Sequence, residues 1–286
     1  MSEVVEYKEG IELTGYISDM PEDFYHKTKG FISKSSLGVL KESPFKFFNQ
    51  TQKTQTPAMR MGTAVHCAIL EPEKFKQKYL LLPDIRVKTL KAYKDAVKEN
   101  PDMEILHGAD AENLNGMIAA VMANEAAREL LELDGDCEVS GFHIDSETGV
   151  GLRHRFDKLT KCGIGIDLKK TQSVSPNEIS KTIYKYGYHM QDSLYSDAYK
   201  AIKGRELNQF YFIFVEEAYP HQVAVVYLDD ISKQAGRDEY RELLSEYKFY
   251  KANPSAANNN SGVEMVSLPE WALRAYESEL EDGGIY

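Results

Sequence analysis

Two alternating runs within residues 151–169, joined by a turn-length link, constrain this chain more than any other feature. Gly151-Leu152-Arg153-His154-Arg155-Phe156-Asp157 has a period of two, so Arg153, Arg155 and Asp157 share one face of a strand. Ile164-Gly165-Ile166-Asp167-Leu168-Lys169 alternates as well. Ile164, Ile166 and Leu168 face a core, while Asp167 and Lys169 take the other side. Thr160-Lys161-Cys162-Gly163 between them has the length of a hairpin turn. Two carboxylates and one ammonium therefore meet at the ends of adjacent strands. Carboxylate oxygens suit Mg²⁺, and a neighbouring lysine can orient or activate a water. Metal-assisted hydrolysis of a phosphodiester needs that combination.

The remaining punctuation places this hairpin in an α/β layer arrangement. Residues 1–26 are acidic and read as an arm or irregular entry. Ser33 caps a short helix that ends before Pro44, and Thr51 to Pro57 reads as a polar loop. A helix from about Met59 to Leu70 carries Met59, Gly62, Thr63, His66 and Leu70 along one face. Helices are expected over 88–98 and 109–133, then a meander over 137–144, 150–159 and 163–170. Pro176 stands where a long helix to about Lys203 begins. A second hairpin, 210–216 with 222–228, turns at Tyr219-Pro220, and a helix follows over about 231–251. Pro254 to Gly262 is an Ala/Asn/Ser loop, with a short tail helix around Trp271.

A hydrophobic content of 42% over 286 residues is enough for a real core. No apolar run has the length of a membrane span and no signal peptide opens the chain, so a cytoplasmic location is expected. Three scattered cysteines, Cys67, Cys137 and Cys162, point to reduced thiols and exclude a four-cysteine zinc or iron–sulfur site. The net charge is −11, but its distribution is uneven. Residues 27–60 carry seven basic residues and one acid; 74–98 carry eight and two; 150–203 carry ten and five. The acids concentrate in 99–149 and 206–286. A positive channel inside an acidic exterior follows from that distribution. Gly163-Ile164-Gly165 leads into a strand, not a helix, so it is no dinucleotide loop.

Four pieces in order resemble the PD-(D/E)XK nuclease superfamily and, within it, the RecE-type (exonuclease VIII-like) phage exonucleases. Arg60-Met61-Gly62-Thr63-Ala64-Val65-His66-Cys67-Ala68-Ile69-Leu70-Glu71-Pro72 looks like the first motif of that group. Asp157 and the pair Asp167/Lys169 look like the central motif, and Gln191-Asp192-Ser193-Leu194-Tyr195 looks like the QxxxY motif. The resemblance implies a central mixed β-sheet flanked by helices, with a helical N-terminal part and C-terminal additions. It divides one nuclease domain, 1–286, into the arm (1–26), a core (27–228) and a C-terminal helical extension (229–286).

It further implies His66, Asp157, Asp167 and the Leu168 carbonyl as metal ligands, for Mg²⁺ with Mn²⁺ as substitute. Lys169 would then activate the water or stabilise charge on the phosphate. Gln191 and Tyr195, four apart and so on one helix face, would shape the site and hold the DNA strand. Arg60, Arg153 and Arg155 are DNA-binding candidates. Glu71 either pairs with Arg60 or stands outside the ligand set; Glu138 either feeds the site or is a solvated edge carboxylate. The implied activity is 5′→3′ digestion of one strand of linear duplex DNA, leaving a 3′ single-stranded tail. A homo-oligomeric ring and a single-strand annealing recombinase are the implied partners. An endonuclease, a 3′→5′ exonuclease and a non-cleaving DNA-end-binding protein are the alternatives.

Overall fold

The computed structural model describes residues 4–50, 56–258, 263 and 265–282. Residues 51–55 of the expected polar loop and 259–262 of the Ala/Asn/Ser loop lie outside them. In chain order the strands are β1 Val5–Glu6, β2 Gly15–Ser18, β3 Phe31–Ile32, β4 Tyr79–Leu82, β5 Glu104–His107, β6 Gly135–Ile144, β7 Gly151–Thr160, β8 Ile164–Thr171, β9 Gln209–Glu216 and β10 Val223–Val226. The helices are α1 Glu22–Lys27, α2 Lys34–Glu42, α3 Pro44–Phe48, α4 Pro57–Leu70, α5 Pro72–Lys78, α6 Lys91–Glu99, α7 Ala109–Ala123, α8 Glu125–Glu132, α9 Pro176–Tyr186, α10 Tyr188–Lys203, α11 Asp230–Ala252 and α12 Glu270–Asp282.

The main sheet runs β1-β2-β6-β7-β8-β9-β10, with β3 paired to β7, and it is mixed. β6, β7 and β8 form the antiparallel meander that their alternation predicts, while β8 and β9 are parallel. A parallel pair needs a crossover, and α9 and α10 supply it. β9 shows why helices cover both faces. Phe210, Phe212 and Phe214 enter one core with Tyr195, Tyr199, Leu243 and Leu244; Ile213 and Val215 enter the other with Met61, Val65, Leu114 and Met117. A strand buried on both sides reads as a continuous apolar run, as Phe210 to Val215 does.

Four expectations need correction. Residues before 27 are not an irregular arm: β2 pairs antiparallel with β6, and Tyr16 and Ile17 are fully buried. The single helix expected over 109–133 breaks at Asn124, whose side-chain oxygen accepts from Ala127 N at 3.0 Å and so starts α8. The long helix from Pro176 breaks at Gly187, whose φ of 63° only glycine adopts readily. α11 is no peripheral extension, since Tyr240, Leu243 and Leu244 lie in the same core as the β9 phenylalanines.

β7 also carries a buried base. His154 sits between Tyr16, Phe156 and Tyr195, and a side chain on Gly141 would collide with its ring. Burial, then His143 beside it, hold its pKa well below the ordinary value. The unfolded chain therefore takes up a proton near pH 6.5 that the folded chain refuses, so this group costs stability as pH falls. Equilibrium unfolding at pH 7 and pH 5 should show the wild type losing about 1.4 kcal/mol per pH unit more than His154→Phe below about pH 6. Parallel slopes in the two proteins would contradict this.

Candidate active site

The site lies where β7 and β8 part. Their ladder pairs Lys158 with Ile166 and Leu159 with Gly165. One residue further along β7 the ladder bond is replaced by a side chain: Asp157 Oδ2 accepts from Leu168 N at 2.7 Å. On the other side of β7, Cys137 pairs with Lys158 and Val139 with Phe156, and Glu138 between them has a φ of 52°. Phe156 and Leu159, three apart, both enter the same core, so strict alternation fails between them. Local breaks of this kind re-aim a side chain, and here they turn Glu138 and Asp157 toward each other.

α4 adds an imidazole from above the fork. Thr56 caps this helix by accepting from Met59 N, and Pro57 occupies its first turn. Its buried face is Met61, Ala64 and Val65, packed with Ile166 and Leu168, not the expected face that begins at the exposed Met59. His66 lies at the edge of the packed face, with Nδ1 3.3 Å from Asp157 Oδ2. One ligand atom each of His66, Glu138 and Asp157 falls within 4.8 Å of the others. Glu138 thus joins the site, which its place at the start of a strand left open. Its signal in sequence is register, since it stands opposite Asp157.

The second half of the site is built on β8 and α10. Asp167 is 3% exposed and pairs with Lys169, while its Oδ1 accepts from Gln191 Nε2 at 2.5 Å. Lys169 Nζ lies 4.9 Å from the centroid of the Tyr188 ring. Gly187 makes this possible, because it restarts the chain as α10 and brings Tyr188 and Gln191 onto the first turn beside Asp167.

Electrostatics show what the site lacks. Burial, then the charge of Asp157, push the Glu138 carboxyl up to about 8. Burial, then Asp167, raise that of Asp157. Burial alone would lower the Lys169 ammonium, but Asp167 and Asp157 more than offset it and raise its pKa. Too many carboxylates crowd too few cations, the imbalance that a divalent ion relieves. Imidazole with two carboxylates is a donor set that Mg²⁺ and, more readily, Mn²⁺ accept. His66, Glu138 and Asp157 would hold such an ion.

Other expected residues take different places. Leu168 is the exception: it stands at the fork and donates its N–H to Asp157 Oδ2. Tyr195, one turn beyond Gln191, packs in the core against Phe156, His154 and Phe210, where burial, then Tyr25, Asp167 and Asp157, raise its pKa. Arg153 and Arg155 share the expected face, but each guanidinium is engaged by acceptors within the protein. Arg153 Nη1 donates to the carbonyls of Tyr25 and Thr28, and Arg155 to Ser140 Oγ and the Met20 carbonyl. Arg155 Nη1 also lies 3.8 Å from Glu138 Oε2, so it acts as a counter-ion to the cluster and not as a phosphate clamp. Glu71 pairs with Lys74 and not with Arg60. Arg60 is exposed and lines a cavity of about 380 Å³ together with Lys88 and His107.

Residues 33–267 match the family described as a PDDEXK-like domain of unknown function (DUF3799). The chain belongs to this family. Among solved structures, a protein from Eubacterium rectale described as "Putative exonuclease" superposes with a TM-score of 0.60 at 12% identity, over 90% of this chain and 98% of that one. That likeness concerns the fold. A second, SSO0001, gives a TM-score of 0.26 at 12% identity, over 72% of this chain and 84% of that chain, and carries no argument. No curated protein matches the chain in sequence. Family and fold agree on a PDDEXK-like domain built on a helix-flanked mixed sheet. Among the described residues no helix is long and apolar enough to cross a membrane.

Thermal unfolding with and without Mn²⁺ tests the ligand set. Wild type should gain about 2.7 kcal/mol at a hundredfold excess of ion over its Kd. Above about pH 8, where its carboxyl is charged, Glu138→Gln should be more stable than wild type without metal, because a buried like charge is gone, and should lose most of the Mn²⁺ gain. An undiminished Mn²⁺ shift in Glu138→Gln would remove Glu138 from the set.

Proposed function

We propose that the chain is a Mg²⁺-dependent exodeoxyribonuclease of RecE type, digesting one strand of linear duplex DNA 5′→3′ and leaving a 3′ single-stranded tail. The carrying observation is the convergence of His66, Glu138 and Asp157 on one side of the fork with the Asp167–Lys169 pair on the other. A bound divalent ion supplies charge stabilisation at the phosphate and a more acidic water. In this reading the Leu168 carbonyl and Asp167 complete the oxygen donors around it.

The chain's own groups prepare the rest. Lys169, fixed by Asp167 and the Tyr188 ring, presents a cation where the phosphate gains negative charge as water attacks phosphorus. The phosphorus–O3′ bond breaks, the 3′-hydroxyl leaves and a 5′-phosphate remains. Gln191 holds Asp167 in register, so the lysine and the carboxylates keep their spacing. Arg60 and Lys88 line a cavity with His107, Glu104, Asp110 and Glu217, and in this reading the two cations meet the DNA backbone there. The 5′→3′ direction, the homo-oligomeric ring and the annealing recombinase partner belong to this reading through the resemblance of the motifs.

Linear duplex labelled separately at its 5′ and 3′ ends is the substrate that tests it. With Mg²⁺ the 5′ label should be released early, with chelator it should stay, and Lys169→Ala should slow release by about a hundredfold or more. Early 3′ release, or cutting of a closed circle, would overturn the polarity. Tight binding of duplex ends with no cleavage would overturn the enzyme.

A further inference from the structure

Three tyrosines surround the Gly187 break, at 184, 186 and 188. Tyr188 is the inner one, with Lys169 Nζ 4.9 Å and Lys34 Nζ 5.2 Å from its ring centroid. Tyr186 stacks on Tyr188 at 5.8 Å with 26° between planes, yet 53% of its surface is exposed. Tyr184 stacks on His189 at 5.8 Å and 20° and is 72% exposed. Lys34 also donates to the Tyr186 carbonyl, and Lys185 Nζ lies 5.4 Å from the Tyr186 ring. One exposed tyrosine on a protein surface needs no explanation. Two, each stacked on an inner ring, with lysines around them and the series ending at Lys169, form a graded surface from solvent to the fork.

We propose that Tyr184 and Tyr186, with Lys34 and Lys185, form a stacking platform for unpaired bases of single-stranded DNA entering the active site. The inference rests on the nuclease reading for its substrate. A ring face accepts a base only when that base has left its own stack, so the platform selects an unpaired strand over an intact duplex. Charge complementarity points the same way. Glu239 is held by Lys41 and His189, and Lys34 and Lys185 flank the rings, where they would meet the phosphates between stacked bases. The strand to be cut would therefore be separated from its partner for the last nucleotides before Lys169.

Binding of oligothymidine in chelator, with no cleavage to complicate it, measures the platform directly. Oligonucleotides carrying 2-aminopurine at their terminal positions add a spectroscopic readout, because that base loses fluorescence when it stacks on an aromatic ring. Tyr186→Ala should weaken oligothymidine binding about tenfold and restore 2-aminopurine emission. Tyr186→Phe should behave as wild type, whereas Tyr186→Leu should behave as alanine. If the double variant Tyr184→Ala/Tyr186→Ala binds and quenches like wild type while wild type digests DNA, the platform is wrong and the nuclease stands. If wild type binds and quenches but cleaves no DNA, the nuclease is wrong and the platform stands.

Discussion

The bond from Leu168 N–H to Asp157 Oδ2 is the constraint on which the site depends. An antiparallel pair normally continues by exchanging backbone bonds, and a strand that leaves the ladder strands its own N–H groups. Here a carboxylate replaces the missing backbone acceptor. The sheet can therefore open at this point without an orphaned donor, and the acid that permits the opening also stands beside His66 and Glu138 at its mouth. Glu138, with its positive φ, and His66, at the edge of a packed helix, reach Asp157 because the fork exists.

Around that fork the chain separates its charges by task. Carboxylates of His66's neighbours gather on the α4 side, where burial and mutual repulsion raise their pKa values. Asp167, on the other side, holds Lys169 and Gln191. Two arginines that share a strand face with Asp157 donate to backbone carbonyls, and Arg155 also lies beside Glu138. The acidic centre is thus balanced in part from within, and the remainder is what an incoming cation neutralises.

Much of this was legible in the sequence. Period-two alternation and the turn-length link located β7 and β8, and the identity of Asp157, Asp167 and Lys169 pointed to the candidate site. Gln191 was legible by motif, and its bond to Asp167 shows why its position on the first turn of α10 matters. Tyr195 was read as its companion because residues four apart share a helix face, but one turn carries a side chain about 6 Å along the axis, from the fork into the core. The arginines misled for a related reason: alternation gives the face and not the acceptor, and the carbonyls that accept from them lie more than a hundred residues earlier. The same long-range pairing hid β2, a short strand whose role is set by β6 and not by its own pattern.

Those acceptors have a consequence for how the catalytic unit is delimited. The family match begins at residue 33, after Met20, Tyr25 and Thr28, whose carbonyls take the donors of Arg153 and Arg155. A chain trimmed to the matched stretch would leave two partly enclosed guanidinium groups without those acceptors, one of them next to Glu138. Unmet donors on a charged group are costly, and these would be free to swing toward the carboxylates and compete with the metal. The stretch that defines the family is therefore smaller than the stretch that keeps its active site in working order.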